Sequence, residues 1–279
     1  MSIAARTKSA PRLARDITAI HTRAMTTLLE RLKSDPALAS LRRSLDVYYG
    51  DAARDAAMDR LYAQFLQPGD LAFDIGSHVG DRIGAFRRVG ARVVALEPQP
   101  DCARVIRVIY EGDKDVRLVE AACGPLPGGL TLHINSANPT VTTASAEFVR
   151  AADGAGGWEG QSWDRTIDVP VTTLDELIAA HGAPAFAKID VEGFEADVLA
   201  GLSQPIKALS FEFTTIQRDV AHRCLARLAA LGPYRFDVAL GESQQLTFGR
   251  WLDAAEMAAH IDALPHSANS GDVYAVLPH

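Results

Sequence analysis

The segment Lys188-Ile189-Asp190-Val191-Glu192 brings three ionisable side chains together within five residues. It overlaps the end of a short apolar run, Ala185–Ile189, which predicts a strand. Alternate residues of a strand share a face, so Lys188 and Asp190 are expected to lie side by side at its carboxyl end. Ligands bind at that end of the strands in open α/β sheets. Because a carboxylate there can take the proton of a reacting hydroxyl or amine, Asp190, Lys188 and Glu192 are the predicted catalytic residues.

Two other interpretations of these side chains stay open. Lys188 and a neighbouring carboxylate could form a structural pair that fixes the loop. Alternatively, Asp190, Glu192 and Glu212 could converge as oxygen ligands of a divalent cation, since hard cations prefer such ligands. The three carboxylates lack the close spacing of a metal motif. A divalent metal is therefore not favoured, and no metal ligand is predicted.

The segment Phe73–Gly80, FDIGSHVG, has the pattern of a strand that turns into a helix through glycine. Gly76 removes a Cβ that would block a ligand crossing the strand end, and Gly80 lets the helix start pack closely. Asp74 can accept hydrogen bonds from an ammonium group or ordered water, and His78 can donate one. The usual dinucleotide fingerprint is G-x-G-x-x-G, and its middle glycine is missing here. The pattern favours a cofactor site other than a dinucleotide site, and a turn without any ligand is the alternative.

The segment Arg92–Pro98, RVVALEP, predicts a strand that ends in a carboxylate about 20 residues beyond the glycines. A carboxylate at this position of a nucleotide-binding βαβ unit can accept hydrogen bonds from both hydroxyls of a ribose. Pro98 then ends the strand and turns the chain away. Glu97 is the predicted ribose partner, with a plain surface residue as the alternative.

Taken together, these motifs resemble the FkbM-like class I methyltransferases, which use S-adenosylmethionine. The resemblance extends from Gln67 to about Phe213 and rests on PGDLAFDIGSHVGD, LEPQP, AACG, VTTLDEL and, most specifically, KIDVEGFE. It implies a seven-stranded sheet whose final strand, Val273–Leu277, is antiparallel, and an adenine pocket near Ala121 and Ala122. The predicted cofactor-binding residues are then Asp74, Gly76, His78, Gly80, Glu97, Pro98, Ala121 and Ala122.

The chain departs from the family pattern at two places. Ser77-His78 stands where Ala-Asn is common, and the run Phe211–Thr214 lacks the histidine that often follows its glutamate by two residues. The first departure leaves cofactor binding in place, whereas the second gives no basis for assigning a role to that histidine. Members of the family tend to methylate oxygen on natural products or saccharides, so the resemblance implies O-methylation of a hydroxylated small molecule or saccharide.

Residues Asn135–Asp168 interrupt the regular pattern with Ser, Thr, Gly and Asn, and we predict a lid or acceptor loop there. Its hydroxyl and aromatic side chains suit a sugar or another hydroxylated ligand, and they equally suit a loop that closes on itself. These side chains are Thr140, Thr142, Thr143, Ser145, Trp158 and Trp163.

Short apolar runs alternate with helical patterns along the rest of the chain, which predicts a doubly wound, mainly parallel Rossmann-like α/β sheet. The predicted strands are Leu71–Ile75, Arg92–Leu96, Val116–Val119, Ala185–Ile189, Ala208–Phe213 and Val273–Leu277. The predicted helices are at about 80–89, 101–110, 173–180, 194–201 and 217–231. Two amphipathic helices precede them, one from Asp16 to near Asp35-Pro36 and one at about 51–66. We therefore divide the chain into an N-terminal helical extension, 1–66, and a methyltransferase domain, 67–279.

The net charge of −7 is unevenly distributed, because residues 1–43 hold nine basic and three acidic side chains. The acidic remainder contains all the motifs and lacks the basic field of a nucleic-acid-binding surface, so no nucleic-acid partner is expected. No apolar run reaches the length of a membrane span, and three scattered cysteines favour a reducing compartment, so a cytoplasmic protein is expected. For the basic segment, a homodimer contact, a cap over the site and a solvated face stay open.

Two functions compete with methyl transfer at this stage. A nicotinamide-dependent oxidoreductase could use a related sheet, although the missing middle glycine counts against it. A non-catalytic module could keep the cofactor fold to bind a partner, although the presence of Asp74, Glu97 and Asp190 disfavours it.

Overall fold

Short β-branched and aromatic runs form ten strands within residues 25–278, the part of the chain that the computed structural model describes. The part of the predicted first helix before residue 25 lies outside these residues. In chain order, the strands are β1 (Leu71–Ile75), β2 (Arg92–Leu96), β3 (Val116–Val119), β4 (Ala122–Cys123), β5 (Gly128–Ile134), β6 (Arg165–Thr172), β7 (Phe186–Ile189), β8 (Ala208–Thr214), β9 (Arg235–Leu240) and β10 (Ser270–Val276).

Seven of these strands form the main sheet, in the order β3-β2-β1-β7-β8-β10-β9. Neighbouring strands are parallel except that β10 runs antiparallel to β8 and β9. The chain builds outward from β1 in one direction through β2 and in the other through β7. The doubly wound, mainly parallel sheet of seven strands with an antiparallel final strand is confirmed.

Helices cover both faces of the main sheet. α1 is described from residue 25 to residue 34 and ends just before Asp35-Pro36, as the sequence predicts. The others are α2 (Arg42–Tyr48), α3 (Ala52–Tyr62), α4 (Asp81–Val89), α5 (Pro100–Ile109), α6 (Ala146–Ala152), α7 (Leu174–His181), α8 (Glu195–Ala200), α9 (Arg218–Leu231) and α10 (Ala254–Ala263).

All five residues of β1 are buried, as expected for a parallel strand covered on both faces. Leu71, Phe73 and Ile75 pack into a core with side chains of α7, α8 and α9. Ala72 belongs to a second core on the opposite face, together with side chains of α3 and α4. A third cluster joins α1 and α2 to α5. Among residues 25–278, no helix combines the length and the apolar character that crossing a membrane requires.

The predicted loop Asn135–Asp168 needs correction, because it contains regular structure. It includes a 3₁₀ turn at Pro139–Val141 and helix α6, and its last four residues already belong to β6. β6 pairs with β4 and β5 in a separate three-stranded sheet that the sequence did not predict. Ile167, Val169 and Val171 alternate along β6 and pack into a small apolar cluster, but Pro170 within the run argues against a strand when only the sequence is read.

Candidate functional site

Two adjoining cavities lie at the carboxyl ends of β1, β2 and β7. The first, which we call the apolar cavity, has a volume of about 60 Å³ and includes Leu96, Pro98, Ala121 and Leu132 in its wall. The second, the acidic cavity, has a volume of about 290 Å³. Both are lined by Gly76, His78, Thr140, Asp190 and Glu192. This is the end of the sheet, beside its central strand, where α/β folds bind ligands.

The apolar cavity brings together most of the predicted cofactor-binding residues. Its wall includes Gly76, His78, Glu97, Pro98, Ala121 and Ala122. Asp74 and Gly80 lie in neither cavity wall and instead support the turn between β1 and α4.

Glu97 follows β2 directly and places a buried carboxylate in the wall of the apolar cavity. Its Oε2 accepts the backbone N–H of His78 at 2.7 Å, and its Oε1 accepts the backbone N–H of Gln99 at 2.8 Å. Burial raises the pKa of Glu97 to about 8, although these two hydrogen bonds oppose the shift. Each carboxylate oxygen retains a lone pair for a further donor.

Gly76 is fixed by the close approach of two strand ends. A Cβ at this position would lie 1.8 Å from the carbonyl oxygen of Asp190, and the backbone has φ +84°, where glycine is favoured. The N–H groups of Gly76 and Ser77 both donate to the carbonyl oxygen of Leu96, at 3.0 and 2.9 Å. The glycine turn therefore locks β1 against both of its neighbours at the edge where the cavities open.

Gly80 lies immediately before α4 and forms its N-terminal cap. It stands at the helix N-cap with φ +87°, and its carbonyl oxygen accepts the Tyr110 hydroxyl at 2.6 Å. A Cβ there would lie 3.0 Å from the Tyr110 ring. The role predicted from the sequence, close packing at the helix start, matches this geometry.

His78 lines both cavities and is half-buried. Its Nδ1 lies 3.6 Å from the Cys102 Sγ and its Nε2 lies 3.3 Å from the Thr140 hydroxyl. Burial lowers the pKa of His78 to about 4, so the ring is neutral near pH 7. The Tyr48 ring meets it edge-on with 5.9 Å between ring centroids. Both ring nitrogens therefore already face a side-chain partner, so a ligand can bond to the imidazole only by replacing one of them.

Asp74 lies below the glycine turn and is 1% exposed. Its Oδ2 is buried without a hydrogen-bond partner in the described part of the chain. Burial raises the pKa of Asp74 to about 6, and Lys188, its neighbour in the register of β1 and β7, opposes the rise. A buried carboxylate oxygen without a donor is a position where a bound cationic group or water would lower the free energy.

The acidic cavity contains the predicted catalytic cluster. Lys188 is 2% exposed and its ammonium forms an ion pair with Asp190 Oδ2. Carboxylate oxygens of Asp190, Glu192 and Glu212 all lie within 4.8 Å of one another. Three carboxylates thus share one wall with a single ammonium group, an arrangement that costs free energy unless something offsets the excess charge.

The pKa values of this cluster diverge. Burial, and then the charge of Asp190, raises the pKa of both Glu192 and Glu212 well above the usual range. For Asp190, burial also acts to raise the pKa, but the Lys188 ammonium outweighs it and keeps the pKa below its ordinary value. The cluster therefore pairs one ionised carboxylate with two carboxyl groups of high proton affinity.

A second charged network adjoins the acidic cavity, whose wall includes its members Asp81, Arg82 and Glu242, and the sequence did not reveal it. Arg82 binds Asp81 at 2.7 Å and Glu242 at 3.0 Å, while Arg54 reaches the same two carboxylates at 2.8 and 3.0 Å. Asp81 is the first residue of α4, so its position after Gly80 offered a signal. Glu242 comes from a distant loop after β9, and Arg54 comes from α3, so neither stood out in the sequence.

Residues 135–168, the predicted lid or acceptor loop, contribute side chains to both cavity walls and hydrogen bonds that hold the segment in place. Thr140 and Thr142 line the apolar cavity, and Trp158 lines the acidic cavity. The Thr143 hydroxyl donates to the Glu192 carbonyl oxygen at 2.6 Å. The Ser145 hydroxyl accepts the N–H of Phe148 and caps α6. Trp163 lies outside both cavity walls, and its indole N–H donates to the Val141 carbonyl oxygen at 2.8 Å.

Comparison with known proteins gives one family and several similar chains. The family profile described as the methyltransferase FkbM domain matches residues 74–232. A hexuronic acid methyltransferase, AglP, from Haloferax volcanii is 23% identical over 194 residues, which cover 68% of this chain and 74% of that protein.

Solved structures with low sequence identity are also similar. An O-methyltransferase from Bacillus cereus in complex with SAH is 13% identical with a TM-score of 0.46, and the match covers 90% of this chain and 91% of that chain. A putative O-methyltransferase from Klebsiella pneumoniae is 11% identical with a TM-score of 0.43, covering 94% and 97%.

Proposed function

The chain belongs to the FkbM methyltransferase family, and we propose that it transfers the methyl group of S-adenosylmethionine to a hydroxyl group of a saccharide or another hydroxylated small molecule. One observation carries the proposal. The apolar cavity and the acidic cavity share five wall residues, so a cofactor in the first faces an acceptor in the second. Methyl transfer is an in-line displacement, and such a juxtaposition is its main structural requirement.

The residues of the apolar cavity fit the adenosyl part of the cofactor. Ala121, Ala122 and Pro98 offer an apolar surface for a purine, and Glu97 offers carboxylate lone pairs for the two ribose hydroxyls. Asp74 supplies negative charge below the glycine turn, where the cofactor's ammonium group would be attracted. When bound, S-adenosylmethionine supplies an electrophilic methyl group on a sulfonium.

The acidic cavity suits a hydroxylated acceptor. Asp190, which Lys188 keeps ionised, accepts the hydrogen bond of the reacting hydroxyl and orients its oxygen toward the apolar cavity. Glu192 lines both cavities and takes the proton that leaves as the new oxygen–carbon bond forms and the sulfur–carbon bond breaks. Lys188 is a positioning residue, because it acts on the acceptor through Asp190.

A saccharide is the acceptor class that the relative from Haloferax volcanii supports, since that protein is named for a hexuronic acid. Hydroxyl groups at the cavity surface and the Trp158 face also suit a sugar ring. The family match argues against a nicotinamide-dependent oxidoreductase. The alternative that this chain binds the cofactor without catalysing methyl transfer is tested by the experiment below.

The test has a binding step and a transfer step. Calorimetry should detect saturable binding of S-adenosylhomocysteine to the purified chain, weakened about 10- to 100-fold in Glu97→Gln because one carboxylate–hydroxyl interaction is lost. A panel of neutral sugars, hexuronic acids and phenols is then incubated with labelled S-adenosylmethionine, and the methylated atom is located by mass spectrometry.

Asp190→Asn is the matched variant for the transfer step. We expect it to bind S-adenosylhomocysteine and to lose at least 100-fold in kcat, since it keeps the shape and removes the charge. Binding without turnover of any acceptor would support a non-catalytic module instead. Saturable binding of NAD in place of S-adenosylhomocysteine would overturn the proposal.

A further inference from the structure

We propose that Asp190, Glu192 and Glu212 bind a divalent metal cation at the wall of the acidic cavity. Oxygens from the three carboxylates lie within 4.8 Å of one another, close enough to share one ion. They come from two adjacent strand ends, since Asp190 and Glu192 follow β7 and Glu212 lies in β8. From the sequence this arrangement was an alternative that was not favoured, because Glu212 lies 20 or more positions from the other two.

Unpartnered oxygens in the cluster point independently to a ligand. Glu192 is 8% exposed, and its carboxylate makes no hydrogen bond or ion pair with any residue in 25–278, although it lines the cavity. Glu212 Oε2 is buried and likewise lacks a partner among the described residues. A buried carboxylate oxygen without a donor is rare and costly, so Glu212 Oε2 requires a compensating group, and the Glu192 carboxylate beside it leaves its oxygens free toward the cavity.

The same cavity shows how its other carboxylates are satisfied. Asp81 and Glu242 are each held by both Arg54 and Arg82. By contrast, neither Glu192 nor Glu212 forms an ion pair with a basic side chain among residues 25–278, and the Lys188 ammonium is engaged with Asp190. Glu192 and Glu212 therefore lack the cationic partners that Asp81 and Glu242 have, and a divalent cation would supply one.

The ligand chemistry selects a hard cation such as Mg²⁺ or Mn²⁺. All three side chains offer oxygen, and no histidine or cysteine joins them in the group found among the described residues. Zinc favours nitrogen and sulfur ligands, whereas magnesium and manganese favour carboxylates and water. Three carboxylates leave further coordination positions that can face the cavity of about 290 Å³.

A cation at this position would also define the acceptor, an extension that rests on the proposed function. It would bind two neighbouring acceptor oxygens, as in a vicinal diol or a hydroxyl next to a carboxylate, and lower the pKa of the bound hydroxyl. The cation would also allow an acceptor that bears its own carboxylate to bind, because without the cation the carboxylates of the cavity would repel it.

Metal binding can be tested directly, without turnover. The full-length chain is stripped with chelator, and Mn²⁺ binding is followed by electron paramagnetic resonance of the free ion. We expect one saturable site in the unaltered chain and at least tenfold weaker binding in Glu212→Gln and Glu192→Gln. Glu242→Gln is the matched control, because it removes the same charge from the same cavity and should retain Mn²⁺ binding.

S-adenosylhomocysteine binding is measured on the same samples, which separates this proposal from the proposed function. Mn²⁺ binding that disappears in Glu212→Gln while S-adenosylhomocysteine binding persists supports the metal site and shows that the variant is folded. Folded wild-type protein that binds S-adenosylhomocysteine but not Mn²⁺ overturns the metal site alone. Equal weakening in Glu212→Gln and Glu242→Gln also overturns it, since the effect would then be general electrostatics.

Discussion

At the scale of single residues, Glu97 links ionisation to cofactor binding. Its pKa of about 8 in the ligand-free chain means that the carboxyl group is largely protonated at pH 6. The ionised form is the better acceptor for two ribose hydroxyls, so binding should lower this pKa and release a proton. Affinity for S-adenosylhomocysteine should therefore rise with pH up to about 8, by at most roughly tenfold per pH unit, and then level off.

Calorimetry from pH 6 to 9 measures this dependence, and Glu97→Gln is expected to flatten it. Asp74 has a pKa of about 6 and contributes mainly at the lower end of the range. The slope above pH 7 is therefore the part assigned to Glu97. An equally steep slope there in Glu97→Gln would contradict the assignment.

Gly76 gives a second prediction at this scale. Gly76→Ala places a methyl group against the Asp190 carbonyl oxygen and strains a backbone with φ +84°. Gly112→Ala is the matched control, because Gly112 has φ +79° with nothing within 4 Å of its added Cβ. The control should lose about 1–2 kcal/mol of unfolding free energy from backbone strain alone.

Gly76→Ala should lose at least about 2 kcal/mol more than that control, because a backbone oxygen cannot move aside without separating β1 from β7. Urea unfolding of both variants measures the difference. Equal destabilisation would mean that the strand ends tolerate the extra atom.

At the scale of elements, burial decides which strands the sequence reveals. β1 is buried throughout and is apolar at four of its five positions, with Asp74 next to its end, so its bounds could be predicted. β9 has Asp237 in its middle, a residue that hides the strand. That carboxylate is buried and accepts the N–H groups of Val238, Phe248 and Gly249, and the last two come from a loop that sequence patterns do not connect to β9.

The position of a residue relative to the apolar runs also decided which parts of the site were predictable. Strand-end residues such as Glu97 and Asp190 follow apolar runs, so their placement at one sheet edge could be inferred. Glu242 meets Arg82 across 160 positions of sequence, and only the folded chain brings them together. Asp74, although named as a cofactor contact, lies below the glycine turn rather than in a cavity wall.

The α6 segment should depend on one buried hydroxyl. Thr143 donates to the Glu192 carbonyl oxygen at 2.6 Å and accepts the Ser145 N–H at 2.8 Å. Thr143→Val keeps the shape but leaves both backbone groups unsatisfied, so we expect a loss of about 1–3 kcal/mol. Hydrogen exchange should show faster exchange across residues 141–152.

Thr131→Val is the control for this prediction, since its hydroxyl bond to Asp168 is exposed to water. We expect a change below about 1 kcal/mol there, because water can replace an exposed partner. Equal effects of the two substitutions on stability and exchange would contradict an anchoring role for Thr143.

At the scale of the whole molecule, the N-terminal helices contribute to the site as well as to the fold. Tyr48 lines the acidic cavity, and the Tyr49 hydroxyl donates to the Val79 carbonyl oxygen at 2.7 Å. Leu29 and Leu32 of α1 belong to the buried cluster that contains Val105 of α5. The boundary we predict near residue 66 therefore separates patterns in the sequence, while these contacts join the two parts in space.

Two truncations separate the roles of this region. Removing residues 1–15 deletes none of the described cavity residues, so S-adenosylhomocysteine affinity should stay within about twofold, a change under 0.5 kcal/mol. Removing residues 1–49 deletes Tyr48 and exposes the apolar face of α5, which should lower the melting temperature by several degrees or more. Calorimetry and thermal unfolding measure both effects. Loss of cofactor binding in the shorter truncation would show that the basic segment helps to build the site. An unchanged melting temperature in the longer one would show that the rest of the chain is stable without α1 and α2.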